Sequence, residues 1–152
     1  MNFIIKKLDK DEEGLSELLL MADPSYDMIK KYIDKCICYG IYLGNELVGQ
    51  YSILNIKKDI MEIMNISVNE KYQGRGLGKQ LIFHAINFAK EKKAKILEIG
   101  TGNSSINQLK LYQKCGFRIN GIYKDYFKLN YDEEIFENDI RCIDMIRLSI
   151  NL

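Results

Sequence analysis

The sequence predicts a layered α/β (α+β) domain. Strand-like and helix-like segments alternate along the chain, and one strand runs through a glycine-rich turn directly into a long amphipathic helix. The 152 residues fit a single domain, 1–152, long enough to bury a core, with 47% apolar and 28% charged residues. Phe3–Leu8 reads as a first strand. Glu12–Ala22 carries Leu15, Leu18, Leu19 and Ala22 at helical spacing and stops at Asp23-Pro24. Tyr26–Lys35 is a second, shorter helix. Cys38–Leu43 and Leu47–Ile56 follow as strands joined by a Gly44-Asn45 hairpin turn.

Ile60–Val68, apolar on both faces, reads as a central covered strand. The helix after it is marked by Leu77, Leu81, Ala85 and Phe88, and Lys90, Lys92 and Lys93 crowd its C-terminal end, where the dipole favours cations. Ile96–Gly100 is a strand. Asn103–Ser105 opens a helix that runs to about Lys114 and is stopped by Gly116. Strands near Phe117–Tyr123 and Cys142–Ile150 flank an irregular acidic stretch. The strand–helix–strand unit within Ile60–Gly116 implies parallel strands and a right-handed crossover.

Charge and composition exclude several classes. Lys and Arg number 22 against 21 acidic residues, so no basic surface for nucleic acid or a charged membrane is indicated. The longest purely apolar run is five residues, Leu18–Ala22, and the N-terminus lacks a signal-peptide layout, so the expectation is a cytoplasmic protein. Cys36, Cys38, Cys115 and Cys142 form no metal-binding spacing and His84 is the only histidine, so no metal is expected.

The chemistry points to Gln73-Gly74-Arg75-Gly76-Leu77-Gly78. Glycine permits positive φ and close backbone approach, and a helix N-terminus presents unpaired N–H groups with partial positive charge. Together they suit a pyrophosphate, with Arg75 and Lys79 adding charge. The glycines alternate strictly, unlike a dinucleotide fingerprint, and Gly78-Lys79 is followed by Gln80, unlike a Walker loop. A tight turn without a ligand is the other reading.

Gln73-x-x-Gly76-x-Gly78 resembles the acyl-CoA pyrophosphate signature of the GNAT superfamily of N-acetyltransferases. Leu111-Tyr112-Gln113-Lys114-Cys115-Gly116-Phe117 resembles that family's later L-Y-x-x-x-G-F segment, with Tyr112 some 34 positions after Gly78. The resemblance covers essentially the whole chain. It implies a mixed, mostly antiparallel central sheet of six to seven strands with one parallel pair and about four helices. It also implies acetyl-CoA as co-substrate.

By the same resemblance, the backbone of Ile66 and Val68 would pair with the pantetheine amides, and amides of Gln73–Lys79 (Gln73, Gly74, Arg75, Gly76, Leu77, Gly78, Lys79) would hold the pyrophosphate. Tyr112 would protonate the departing thiolate; a phenol near 10 and a thiol near 8.5 are modestly mismatched. A core aromatic is the alternative for Tyr112. The family often carries Asn seven residues before this Tyr. Here Ser105 stands there, and Asn103 and Asn107 either substitute for it or cap the helix.

The expected reaction is direct attack of an amine on the thioester. Cys115 is a rival nucleophile that lacks an adjacent base. Candidate bases are Glu62, which strict alternation puts on one face with Ile66 and Val68, and Glu98; either is alternatively a strand-end carboxylate. Asp132–Asp144 holds six acidic residues and one Arg. Glu133, Glu134 and Tyr126 would line a pocket for a cationic amine, unless the segment is a solvated loop. The substrate is thus a small-molecule amine or, alternatively, a protein or peptide. A non-catalytic acyl-CoA-binding regulatory module is the reading from another class, and edge-strand pairing leaves a homodimer open.

Overall fold

A computed structural model describes residues 2–152. Seven strands form one mixed sheet in the order β1-β2-β3-β4-β5-β9-β6. Their ranges are β1 Ile4–Leu8, β2 Ile37–Leu43, β3 Glu46–Lys57, β4 Ile60–Val68, β5 Ile96–Gly102, β6 Arg118–Tyr123 and β9 Met145–Asn151. Helices α1 (Leu15–Ala22), α2 (Tyr26–Lys30), α3 (Leu77–Glu91), α4 (Ile106–Lys114) and α5 (Tyr126–Asn130) complete it, with a separate hairpin of β7 (Ile135–Glu137) and β8 (Ile140–Cys142). The expectation of a mixed sheet of six to seven strands with one parallel pair is met with seven strands, β4 and β5 being the parallel pair.

Alternation along the strands builds two cores. Ile41, Val48, Tyr51, Ile53, Met61 and Ile63 pack under Leu81, Ile82, Ala85 and Ala89 of α3, with Tyr112 of α4 and Phe117 beyond it in the same cluster. Cys38 and Tyr42 face the other way, onto Leu15, Leu19 and Ile29 of α1 and α2. Each fully buried Leu or Ile contributes roughly 1.5–3 kcal/mol relative to exposure.

Several boundaries moved. The first helix starts at Leu15, not Glu12, because Gly14 takes a left-handed conformation (φ 90°) at its N-cap. The second helix ends at Lys30, where a 3₁₀ turn, Ile33–Lys35, takes over and feeds β2. The last strand begins at Met145. Asn103 clasps the residues before it: its Oδ1 accepts from the N–H of Ile143 (2.8 Å) and Asp144 (3.0 Å), and its Nδ2 donates to the Arg141 carbonyl (3.1 Å). The acidic stretch is not irregular. It folds as the β7–β8 hairpin over Asn138-Asp139, both at positive φ (54° and 61°), as a tight two-residue hairpin turn demands.

A β-bulge in β4 corrects the face assignment of Glu62. Ser52 pairs with Asn65 but Ile53 pairs with Ile63, so Met64 is an extra residue and the alternation changes phase there. Ile63 therefore shares the α3 face with Ile66 and Val68. Glu62 shares the opposite face with Asn65 and Ser67, whose side chains donate to the carbonyls of Leu19 (3.0 Å) and Leu18 (2.6 Å) in α1.

All four cysteines are free and buried. Burial, then the neighbouring Cys38, pushes the Cys36 thiol up from 9.0 to about 12. A raised value in the fold favours the neutral thiol, so this stabilisation is complete below about pH 9 and is lost as the pH climbs toward 12. Tm measured between pH 8 and 11 should fall at the alkaline end, and the fall should be shallower in Cys36→Ala.

Candidate active site

The parallel pairing of β4 with β5 covers only Ile60–Ile63 against Ile96–Ile99. Beyond that, β4 stays with β3 as far as Val68, and β5 stays with β9 as far as Gly102, so the sheet splits. The gap leads into a cavity of about 760 Å³, lined by Ile66, Val68, Gln73, Tyr112, Tyr126 and Arg147 among others. Backbone groups of β4 on the split side have lost their sheet partner there. Such groups seek a hydrogen-bonding ligand, and an extended amide chain can supply one.

The glycine-rich turn sits at the end of this strand. Gly74 and Gly76 have φ of 78° and 82°, and a Cβ at either would meet nothing within 4 Å, so the surface over them is open. Gly76 is the N-cap of α3 and has no side chain to cap with, and the first turn carries no acidic residue. The N–H groups of Leu77, Gly78 and Lys79 remain available to an anion, and the helix dipole supports one. Arg75 and Lys79 are exposed, folded over the rings of Tyr72 and Phe83 at 5.2 Å and 5.6 Å. Gln73 reaches back, its Nε2 donating to the Val68 carbonyl at 2.9 Å. The turn, α3 and the split thus offer an anion cradle beside an unpaired strand.

Tyr112 is buried on α4, 4% exposed, with its ring 6.3 Å from that of Phe117 and its side chain on the cavity wall. Burial, then the charges of Cys115 and Glu137, raises its phenol above the ordinary 10. Cys115, three residues on, is raised by burial, with Lys79 opposing, which disfavours the thiolate that a nucleophile needs.

Glu62 and Glu98 are neighbours in register across the parallel pair, and both face Arg147 of β9. Arg147 Nη2 donates to Glu62 Oε1 at 3.0 Å and Nη1 to Oε2 at 3.1 Å, a bidentate pair; Glu98 Oε1 lies 3.8 Å away. Burial works against the charged guanidinium, but the bonds and charge of Glu62 outweigh it, so Arg147 is held above its usual value. A Cβ on Gly100 would sit 2.6 Å from Arg147 Nη1, so only glycine leaves the guanidinium its place. Both oxygens of Glu62 have Arg147 as their first partner, not a substrate proton.

Other candidates lie elsewhere. Asn103 spends its side chain on residues 141–144, and Asn107 is exposed. Ser105 instead faces the cavity, its Oγ donating to Glu137 Oε1 at 2.8 Å. Tyr126 lines the cavity, but Glu133 and Glu134 are exposed on the segment before β7 and outside the lining, with Glu134 3.8 Å from Arg141. The acidic residues that do line it are Asp23, Glu62 and Glu137. Asp23 and Arg147 were missed in the sequence. Asp23 read only as a helix stop, and Arg147 was one cation in a terminal strand. Among the described residues no group of three or more His, Cys, Asp or Glu could hold a metal, and no helix is long and apolar enough to cross a membrane.

Comparison with known proteins bears directly on this arrangement. Residues 6–117 match the family model described as the Acetyltransferase (GNAT) family. An uncharacterized N-acetyltransferase of Bacillus subtilis (strain 168), YvbK, is 50% identical over 144 residues, covering 95% of this chain and 93% of the relative. The solved structure of an IAA acetyltransferase from Bacillus cereus ATCC 14579 superimposes with a TM-score of 0.95 at 48% identity, over 99% of this chain and 100% of that one. A GNAT family acetyltransferase from Elizabethkingia anophelis with acetyl-CoA bound gives a TM-score of 0.95 at 45% identity, over 99% of both chains. With a split β4–β5 pair, a glycine turn at the head of α3 and the family match spanning both, the chain belongs to the GNAT family of acetyltransferases.

Proposed function

We propose that the protein transfers an acetyl group from acetyl-CoA to a primary amine of a small cationic molecule by direct attack. The observation that carries this reading is the split between β4 and β5, which opens onto a cavity walled by Tyr112. Acetyl-CoA supplies the acyl group already activated as a thioester. The backbone of Ile66 and Val68 offers the partners for an extended amide arm, and the N–H groups of Gln73–Lys79 offer the cradle for a diphosphate. Relatives with CoA or acetyl-CoA bound, at 48% and 45% identity, support the same donor.

Tyr112 holds a proton at Oη, kept there by burial, and delivers it to the departing sulfur. The acceptor nitrogen must be neutral to attack. Glu62 is committed to Arg147, so it reaches the acceptor's proton only through intervening water. A small acceptor is favoured over a peptide by the hydrogen bond from Tyr131 Oη to Asp23 Oδ1 (2.8 Å), which ties two cavity-lining segments 108 residues apart.

The test is release of free thiol from acetyl-CoA against a panel of amines and short peptides, preceded by thermal shift with CoA. A rise in Tm with CoA and amine-dependent thiol release are expected. Binding of CoA with no thiol release for any acceptor would replace this reading with a non-catalytic acyl-CoA-binding module.

A further inference from the structure

Asp23 lies in the link between α1 and α2, on the cavity wall. Its Oδ1 accepts from the Tyr131 hydroxyl (2.8 Å) and the Ser25 N–H (3.2 Å), and its Oδ2 accepts from the Tyr32 hydroxyl (3.2 Å). None of these donors is charged, and among the described residues Asp23 makes no ion pair within 4.0 Å. Lys31 and Lys35 line the same cavity but are exposed. Glu62, by contrast, already has its guanidinium.

Aromatic rings share the cavity wall with this carboxylate. Tyr126, Phe127 and Tyr131 follow one another with centroids 5.2 Å and 5.4 Å apart, and all three line the cavity with Tyr32. Burial and then the charge of Asp23 raise the Tyr126 phenol, so the carboxylate's field reaches the ring that does not bond to it. The position of the carboxylate is fixed from the interior. Tyr32 Oη accepts from Asn65 Nδ2 (3.0 Å), Asn65 Oδ1 accepts from Gln50 Nε2 (2.7 Å), and Gln50 Oε1 accepts from Ser52 Oγ (2.9 Å). An anion that lacks a cation, held by two phenol hydroxyls on a wall that Tyr126 and Phe127 also line, is a site for an ammonium.

Resting on the amine-acetylation reading above, we propose that Asp23 with Tyr32, Tyr126, Phe127 and Tyr131 binds a second cationic group of the acceptor. The preferred substrate is then a diamine or other dication, one end of which stays charged while the other is acetylated. The reacting nitrogen cannot be the one held here. A nearby carboxylate stabilises the protonated form of an amine, whereas attack requires the neutral one. Glu137 does not compete for this role, since it lies at the Ser105 end of the cavity.

The experiment compares 1,4-diaminobutane with 1-aminobutane by tyrosine fluorescence and calorimetry on CoA-saturated protein; the chain has no Trp, so its 10 Tyr residues supply the signal. Wild type is expected to bind the diamine at least about tenfold more tightly than the monoamine. Asp23→Asn should abolish that preference, and Tyr126→Leu should weaken diamine binding severalfold, with CoA affinity retained in both. An unchanged preference in Asp23→Asn, or none in wild type, overturns the proposal. Acetyl transfer is read separately. Diamine preference without acetylated product keeps the subsite and dismisses the reaction, whereas acetylated monoamine without the preference dismisses the subsite and keeps the reaction.

Discussion

Tyr112→Phe is expected to lower kcat by about 10²-fold while leaving KM for acetyl-CoA and Tm nearly unchanged. The substitution removes one oxygen from a ring that stays packed against Phe117 on α4. Stability should therefore survive, and the loss should be read in turnover. The pH dependence gives a second check. Burial raises the Tyr112 phenol, so it stays protonated past its ordinary 10, and the wild-type rate should show no loss from its ionisation below that pH. Equal turnover in Tyr112→Phe would make the residue a core aromatic and leave the departing thiolate to take its proton from water.

Glu62→Gln should have its largest effect on stability. Arg147 has a side chain only 9% exposed, and Glu62 is 14% exposed, so the substitution strands a buried guanidinium with Glu98 at 3.8 Å as its remaining anion. Breaking one side of a buried pair costs about 3 kcal/mol, equivalent to a fall in Tm of roughly 10 °C for a chain of this size. Glu62→Met with Arg147→Met should lose less than the single change, because no unpaired charge is left. Thermal denaturation of the two variants beside wild type checks this. If Glu62→Gln instead kept its Tm and lost turnover, Glu62 would be the base and its bond to Arg147 incidental.

The features legible in the sequence were local ones. Ile60–Val68, the alternating glycines and Leu111–Phe117 each carry their information within a few residues, so strand, turn and helix could be read directly. The phase of β4 could not. Met64-Asn65 has no residue that marks a bulge, and the extra position exists only because β3 pairs on both sides of it. That one residue decides that Glu62 faces α1 and α2 and not the face of Ile66.

Long-range partners were equally hidden. Arg147 meets Glu62 across 85 residues, and Tyr131 meets Asp23 across 108. The hairpin turn Asn138-Asp139 did have a local sign, two residues tolerant of positive φ, but six acidic residues around it suggested a solvated loop. Asp23 shows the ambiguity best. An Asp before Pro reads as the end of a helix, and it is one, yet the same carboxylate also gathers two phenols.

The extra residue at Met64 makes β4 two short runs in opposite phase. Glu62 and Asn65, three residues apart, therefore share one face of the sheet, and Ile63 and Ile66 share the other. Deleting Met64 would therefore leave every face as it is: Asn65 would follow Ile63 directly, Ser52–Asn65 and Ile53–Ile63 would become adjacent pairs, and only the local kink of the strand would be lost.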